Sequence, residues 1–261
     1  MAHKHTGWLP AQHGAWAMLI VPFVVGVALR AHDGLALPWF LLPLFAFWLI
    51  GYFAFNAASL WLKSPPARRR PFVAPLATYV AASAVFGLLT LAGAGPGILG
   101  WVPAYLVLLV PALILAANRR ERATLGGGLT TAAASLMVLV VRFPHVTDLI
   151  AWTPAARASA AAAALVFAYF FGTVFYVKTN IRERGNPRFY ALSVGWHATA
   201  TVAAAGLMAA GAASVGWVAL FAAALARAVV VPRVRPPVTP LRIGLLEIAL
   251  SVSIIVIAAV A

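Results

Sequence analysis

The sequence predicts an all-α fold, a polytopic membrane helix bundle of about nine transmembrane helices that forms a single domain over residues 1–261. Hydrophobic residues make up 64% of the chain and only 5 of its 261 residues are acidic, a balance too apolar for a soluble domain. Apolar runs of about 20 residues, the length that crosses ~30 Å of hydrocarbon, recur along the whole chain. Because no long polar linker separates them, we expect one bundle.

Nine apolar runs define the predicted spans. They cover residues 13–30, 37–61, 72–93, 98–117, 124–141, 155–177, 190–209, 214–231 and 241–260. Small residues open two of these spans, at 126–128 and 160–164. Small side chains let helices approach closely, which favours helix packing within lipid.

The distribution of Lys and Arg predicts the orientation. With a cytoplasmic N-terminus, 16 of the 19 Lys and Arg fall on cytoplasmic segments, and the outer side holds Arg30, Arg142 and Arg157. Positive residues favour the cytoplasmic side of a membrane. We therefore expect an integral protein of a bacterial plasma membrane with its C-terminus outside. The opening residues lack the pattern of a cleavable signal peptide, so none is expected.

The formal net charge of +14 would suggest a nucleic-acid partner in a soluble protein. Here the cations fall in short loops between apolar spans, where they serve topology and contact lipid headgroups, so no nucleic acid is expected. The chain contains no Cys. This excludes disulfides, thiolate metal sites and a cysteine nucleophile.

The most polar segment covers residues 177–189, between spans 6 and 7. Gly185 and Pro187 are expected to break any helix that runs through it. Its polar side chains are Lys178, Asn180, Arg182, Glu183, Arg184, Asn186 and Arg188. Such a segment is either a plain cytoplasmic anchor or the mouth of a polar site, and both interpretations remain open.

Four polar residues inside spans concentrate in the cytoplasmic half, namely His13, Asn56, His197 and Glu247. Ionisable groups at membrane depth usually face an internal cavity and carry function. We therefore expect a cavity that opens to the cytoplasm and is rimmed by Arg and Lys.

Each of these residues also has a structural interpretation. His13 can be an interfacial anchor, and Asn56 can bond to a neighbouring helix. His197 can donate to the carbonyl oxygen of Ser193 one turn back. Glu247 can pair with a cation on a neighbouring helix or bond Ser251.

The order of spans and loops resembles the UbiA superfamily of intramembrane prenyltransferases. Asn56 matches the Asn of the family's N-D-x-x-D-x-x-x-D motif, and residues 69–71 match the basic turn that follows. Residues 119–126 resemble the family's segment after span 4, and residues 178–184 fall where its second aspartate motif is expected. The resemblance implies diphosphate-binding roles for Asn56, Arg69, Arg70, Arg119, Arg120, Lys178, Asn180, Arg182 and Arg184, and the depth of His13 in the first span adds it to these candidates.

The chain departs from that family at its carboxylates. Ala57, Leu60 and Ser64 stand where the motif has aspartates, and neither loop contains Asp. In the family those carboxylates hold the Mg²⁺ that bridges to the diphosphate, so Mg²⁺ is not expected at these positions. Residues 13–18 and 182–189 resemble the YwiC-like family of bacterial membrane proteins. The composite prediction is a YwiC-like protein on a UbiA-like scaffold.

Three functional hypotheses follow. In the first, arginines and Lys178 bind an isoprenoid or lipid diphosphate directly, and Glu247 or His197 acts as a general base in a metal-independent, prenyltransferase-like reaction. In the second, His13 and His197, with Glu247 as a further ligand, hold haem or a metal ion. In the third, the protein is a non-catalytic lipid carrier or a partner subunit. Binding is placed ahead of catalysis because the motif carboxylates are absent.

Overall fold

The computed structural model describes residues 7–10, 15–120 and 123–260. Within these ranges the chain forms ten α-helices joined by turns and short 3₁₀ segments. They are α1 (Ala15–His32), α2 (Leu41–Lys63), α3 (Arg70–Ala94), α4 (Val102–Ala117), α5 (Thr124–Arg142), α6 (Val146–Ile150), α7 (Pro154–Ile181), α8 (Pro187–Ala209), α9 (Val215–Val230) and α10 (Pro240–Val260).

The described residues include 9 helices that are long and apolar enough to cross a membrane. The 3₁₀ segment Pro96–Trp101 joins α4 in one of them, and the five-residue α6 is too short. Each of these nine helices overlaps one predicted span. The all-α bundle predicted from the sequence is therefore confirmed.

The loop within the polar segment 177–189 is shorter than the predicted spans indicate. α7 continues to Ile181, and within its last turns the Thr179 hydroxyl and the Asn180 side-chain amide are satisfied by donating to carbonyl oxygens one turn back, each at 2.9 Å. Asn186 then caps α8, and its Oδ1 accepts from the backbone N–H groups of Arg188 and Phe189. Only residues 182–186 lie between the two helices, fewer than the residues 178–189 that the predicted spans leave between them.

Cations from several helix ends are brought close together at one end of the bundle. We call this end the basic end. Three contacts join distant parts of the chain there: Arg119 Nη2 to the Lys63 carbonyl oxygen at 3.3 Å, Lys178 Nζ to Thr124 Oγ1 at 3.3 Å, and the Tyr190 hydroxyl to the Val229 carbonyl oxygen at 3.2 Å. These contacts place Lys63, Arg119 and Lys178 at one end, while the segregation of the other cations and the membrane face that this end occupies stay predictions.

The core is built around α1, α5 and α7. α1 packs against α5 and α10, and α7 packs against α5 and α8. On α1, a Cβ added at Gly26 would lie 2.7 Å from Val141 Cβ and 2.9 Å from the Val138 carbonyl oxygen of α5. Since a side chain there would clash, glycine is what allows α1 and α5 to come this close.

The opposite end of the bundle is tied by the cations that the sequence assigned to the outer side. Arg142, only 7% exposed, pairs with Asp33 at 2.5 Å. Arg30 donates to the carbonyl oxygens of Val141 and Arg142, at 3.3 and 3.2 Å. These contacts join the end of α1 to the end of α5, so both arginines have a tertiary role beyond topology.

Candidate functional site

A tall cavity of about 780 Å³ lies among α1, α2, α3, α4 and α5. It extends from Lys63 at the basic end to Ile98 and Trp101 near the opposite end. Most of its wall is apolar, with side chains such as Leu44, Phe47, Leu88, Leu109 and Met137. The cavity therefore runs through most of the depth of the bundle.

Polar side chains of α2 line the cavity at its basic end. Asn56, Ser59 and Lys63 follow one another at spacings of three and four residues, which places them on one side of the helix. Among the described residues that line the cavity, Lys63 is the only charged one. The cavity thus passes from apolar surface to a single cation at this end.

Two predicted arginines lie beside that end of α2. Arg69 Nε donates to the Ser64 carbonyl oxygen at 3.0 Å, and its guanidinium lies 4.5 Å from the centre of the Trp61 ring. Arg119 donates to the Lys63 carbonyl oxygen. Arg70 and Arg120 are exposed nearby, at the start of α3 and after α4. Arg69 and Arg119 therefore lie beside the Lys63 end of α2, and a basic rim that includes Arg70 and Arg120 stays a prediction.

Three hydroxyl groups inside the cavity wall have no hydrogen-bond partner among the described residues. They belong to Tyr52, Ser83 and Tyr105, on α2, α3 and α4. Trp48 also lines the cavity, but its indole N–H donates to the Leu19 carbonyl oxygen at 3.0 Å. These three hydroxyls add polar positions to a wall that is otherwise mostly apolar.

Glu247 lies outside this cavity and is fully engaged. Its carboxylate forms an ion pair with Arg227 of α9. It also accepts hydrogen bonds from the hydroxyls of Thr173 at 2.8 Å and Tyr169 at 3.4 Å, both on α7. The Arg227 guanidinium is 4.5 Å from the centre of the Tyr176 ring. Of the two structural interpretations of Glu247, the structure shows the pairing with a cation on a neighbouring helix rather than a bond to Ser251. The catalytic role of Glu247 stays a prediction.

His197 lies at the contact between α8 and α7 and is only 3% exposed. Its Nδ1 is 2.7 Å from the Ser193 carbonyl oxygen, as the structural interpretation expected. Because a carbonyl only accepts, Nδ1 carries the hydrogen, and Nε2 is left as an acceptor without a partner in the described residues. Nε2 packs over Gly172, where an added Cβ would lie 3.1 Å away.

The described residues contain no group of three or more His, Cys, Asp or Glu that could hold a metal ion. His197 and Glu247 are thus not joined by a third such ligand within the described part of the chain. His13, the other predicted ligand, lies outside the described residues. Ligation of haem or a metal stays a prediction.

The remaining predicted residues lie in three different places. Asn180 and Arg184 line a separate pocket of about 260 Å³ at the basic end, formed by the ends of α7, α8 and α9. Lys178 instead reaches Thr124 at the start of α5, two residues before Gly126, which lines the tall cavity. Arg182 is exposed in the loop. The structure therefore does not gather all predicted residues into one cavity.

Sequence reasoning missed the role of Arg227. It was counted among the cytoplasmic cations, but it lies within α9 and is only 7% exposed. A signal was present, because residue 227 falls inside the predicted span 214–231. A buried acid such as Glu247 needs a cation partner, and Arg227 was the cation in the neighbouring span.

The fold and the cavity define an integral membrane helix bundle with an internal, mostly apolar cavity. The family described as "YwiC-like protein" matches residues 9–142. The "Uncharacterized protein YwiC" of Bacillus subtilis (strain 168) is 30% identical over 200 residues, which cover 72% of this chain and 73% of the relative. The chain therefore belongs to the YwiC-like family.

No solved structure matches the chain, and the likeness to the UbiA superfamily stays a prediction. The family match at residues 9–142 includes all the described residues that line the tall cavity. The cavity is thus part of the region that defines family membership.

Proposed function

We propose that this protein binds an isoprenoid or other lipid diphosphate in the tall cavity, with the apolar chain among α1–α5 and the anionic head at Lys63. The observation that carries the proposal is a mostly apolar cavity whose described lining includes a single charged side chain, at one end. Its volume of about 780 Å³ lies in the range of ~300–1,000 Å³ common for ligand sites. The ligand is therefore an amphiphile with a single charged end.

The head, rather than the chain, decides selectivity in this proposal. Lipid tails are as apolar as the cavity wall, so moving a chain from the bilayer into the cavity gains little hydrophobic free energy. An ammonium and guanidinium groups bind phosphate oxygens through charge-assisted hydrogen bonds. Lys63, with Arg69 and Arg119 beside it, supplies such groups at the basic end.

These cations replace the metal of the UbiA-like scheme in our proposal. Ala57 and Leu60 stand at two of the motif positions; Ala57 is buried and Leu60 lines the cavity. Neither side chain can bind Mg²⁺, so the diphosphate is neutralised directly by Lys and Arg. We further propose that the basic end faces the cytoplasm of a bacterial plasma membrane.

The geometry favours binding over catalysis. Glu247 and His197, the proposed general bases, do not line the tall cavity. Glu247 is occupied by Arg227 and Thr173, and His197 packs between α8 and α7. We therefore propose a lipid carrier or lipid-binding subunit as the main function, with a transferase activity as the alternative.

The thermal stability of the detergent-purified protein against geranylgeranyl diphosphate, in EDTA and in Mg²⁺, tests this proposal. A ligand at about 100 times its Kd adds roughly 2.7 kcal/mol to the free energy of unfolding. We expect a stabilisation that survives EDTA. A shift that requires Mg²⁺ would contradict direct neutralisation, and no shift would contradict this ligand.

A cavity-filling variant locates the site. Gly51 lines the cavity, and a Cβ added there meets no atom within 4 Å, so Gly51→Trp places an indole in the open space. We expect this variant to fold and to lose the ligand-induced shift. Gly244→Trp is the matched control, because Gly244 is equally open but lies on α10, away from the cavity. A full shift in Gly51→Trp would place the ligand elsewhere.

A further inference from the structure

The smaller pocket at the basic end is distinct from the tall cavity. It lies where the loop 182–186 meets the turn Val231–Arg233, and the two sets of described lining residues do not overlap. Its volume is about 260 Å³. It belongs to the half of the bundle formed by α7, α8 and α9, so the proposed lipid site does not account for it.

Arg233 is held in a fixed orientation on the wall of this pocket. Its Nη1 donates to the Val229 carbonyl oxygen at 2.8 Å, and its guanidinium lies 4.6 Å from the centre of the Tyr190 ring. The Tyr190 hydroxyl donates to the same carbonyl oxygen. A guanidinium has five N–H donors, and these contacts orient it while leaving donors for a ligand in the pocket.

Arg184 provides a second guanidinium on the lining. The acid beside it in sequence, Glu183, is not part of the lining and accepts a hydrogen bond from Asn186 at 2.9 Å. The N-terminus of α8 contributes little, because Asn186 already accepts from its first free N–H groups. The positive potential of the pocket therefore comes from the two arginines.

The floor of the pocket is polar and rigid. Thr179 and Asn180 are only 4% and 3% exposed. Their donor groups bond to the carbonyl oxygens of Phe175 and Tyr176 within α7, which fixes both side chains. Because these bonds use the hydroxyl hydrogen of Thr179 and one N–H of Asn180, the donors left for an anion in this pocket come mainly from the two guanidinium groups.

We infer that this pocket is a second anion site, which binds a phosphate group between Arg184 and Arg233. Planar guanidinium groups match phosphate oxygens in bidentate geometry. The pocket lies at the level of the helix ends, where both lipid headgroups and soluble phosphates have access. The bound group is therefore the phosphate of an anionic lipid or of a soluble compound.

The test uses the full-length protein in phosphatidylcholine nanodiscs, with thermal stability as the readout. Inorganic pyrophosphate is titrated in one arm, and phosphatidic acid is added to the nanodisc in the other. We expect stabilisation in at least one arm, and at least tenfold weaker apparent binding in Arg184→Gln and Arg233→Gln. Stabilisation by pyrophosphate identifies a soluble ligand, and stabilisation by phosphatidic acid alone identifies a headgroup.

Three controls make the result specific. Arg235→Gln removes the same charge two residues from Arg233 but outside the lining, and it should bind like the wild type. Arg233→Lys keeps the charge but loses the planar fork, so it should bind with intermediate affinity. Gly51→Trp should leave this site intact, so failure of the lipid proposal and failure of this one are separable. No stabilisation in either arm, or an equal loss in Arg235→Gln, would overturn the inference.

Discussion

Glu247 of α10 and Arg227 of α9 form an ion pair at membrane depth, with side chains that are only 13% and 6% exposed. Thr173 of α7 bonds to both partners, since its hydroxyl donates to the carboxylate and accepts from Arg227 Nη2 at 3.2 Å. Three helices therefore meet at one charge pair. Because a lone charge is costly at this depth, the pair fixes how these helices face one another.

Removing one partner of this pair should destabilise the fold strongly. Arg227→Met or Glu247→Leu leaves a buried charge without its partner, and we expect the free energy of unfolding to fall by about 3 kcal/mol. The double variant should lose less than the sum of the two, because no unpaired charge remains. Chemical unfolding of the detergent-purified variants measures this cycle. Strictly additive losses would show that the two residues are not coupled.

Neutralising Lys63 should weaken lipid diphosphate binding without unfolding the protein. It is the only charged side chain among the described residues that line the tall cavity, so we expect Lys63→Gln to bind at least tenfold more weakly. Arg157→Gln, an exposed position at the opposite end, is the matched control. Equal affinity of the two variants would contradict the placement of the head.

Arg69 and Arg182 are both predicted to bind the diphosphate, but their substitution should affect its binding to different extents. Arg69 is fixed beside the end of α2 by Ser64 and Trp61, so Arg69→Ala should weaken binding of the lipid diphosphate severalfold. Arg182 is exposed in the loop after α7, and Arg182→Ala should have little effect on the same titration. If Arg182→Ala weakened binding more than Arg69→Ala, the diphosphate head would lie nearer the loop 182–186 than we propose.

Gly26 and Gly51 should respond in opposite ways to the same substitution. A Cβ at Gly26 would lie 2.7 Å from Val141 Cβ, whereas a Cβ at Gly51 meets nothing within 4 Å. Gly26→Ala should therefore destabilise the fold by about 1–3 kcal/mol through overpacking. Gly51→Ala should be neutral or stabilising by up to about 1 kcal/mol, because alanine is the better helix former. Thermal unfolding of both variants measures the difference.

Haem ligation has a direct spectroscopic test. The Nε2 of His197 is buried and packs over Gly172, where even an added Cβ would lie 3.1 Å from it, so little space is left for a haem or a metal ion beside it. We therefore expect the purified protein to show no Soret band and no stoichiometric metal. A Soret band that disappears in His197→Ala would restore the haem hypothesis, with His13 as the first candidate for the second axial ligand.

Much of the fold follows from local sequence. The length of each apolar run is set by the thickness of the bilayer, so the number and order of the spans could be predicted. Helix ends were less accurate, because polar residues can continue a helix past the apolar run. At α7, Thr179 and Asn180 lie beyond the predicted span 155–177 but stay helical, with their side chains bonded to carbonyl oxygens one turn back.

The sequence by itself determined that this is a membrane bundle with a basic end and polar residues near that end, because span length and charge placement are local properties. Only the tertiary structure decided that Glu247 faces Arg227, that Asn56 and Lys63 line a tall cavity, and that Arg184 and Arg233 line another. The reason is physical: helices that are apolar on nearly every face carry little periodic signal of their rotation. Their facing is set by long-range packing, such as the contact of Gly26 with α5.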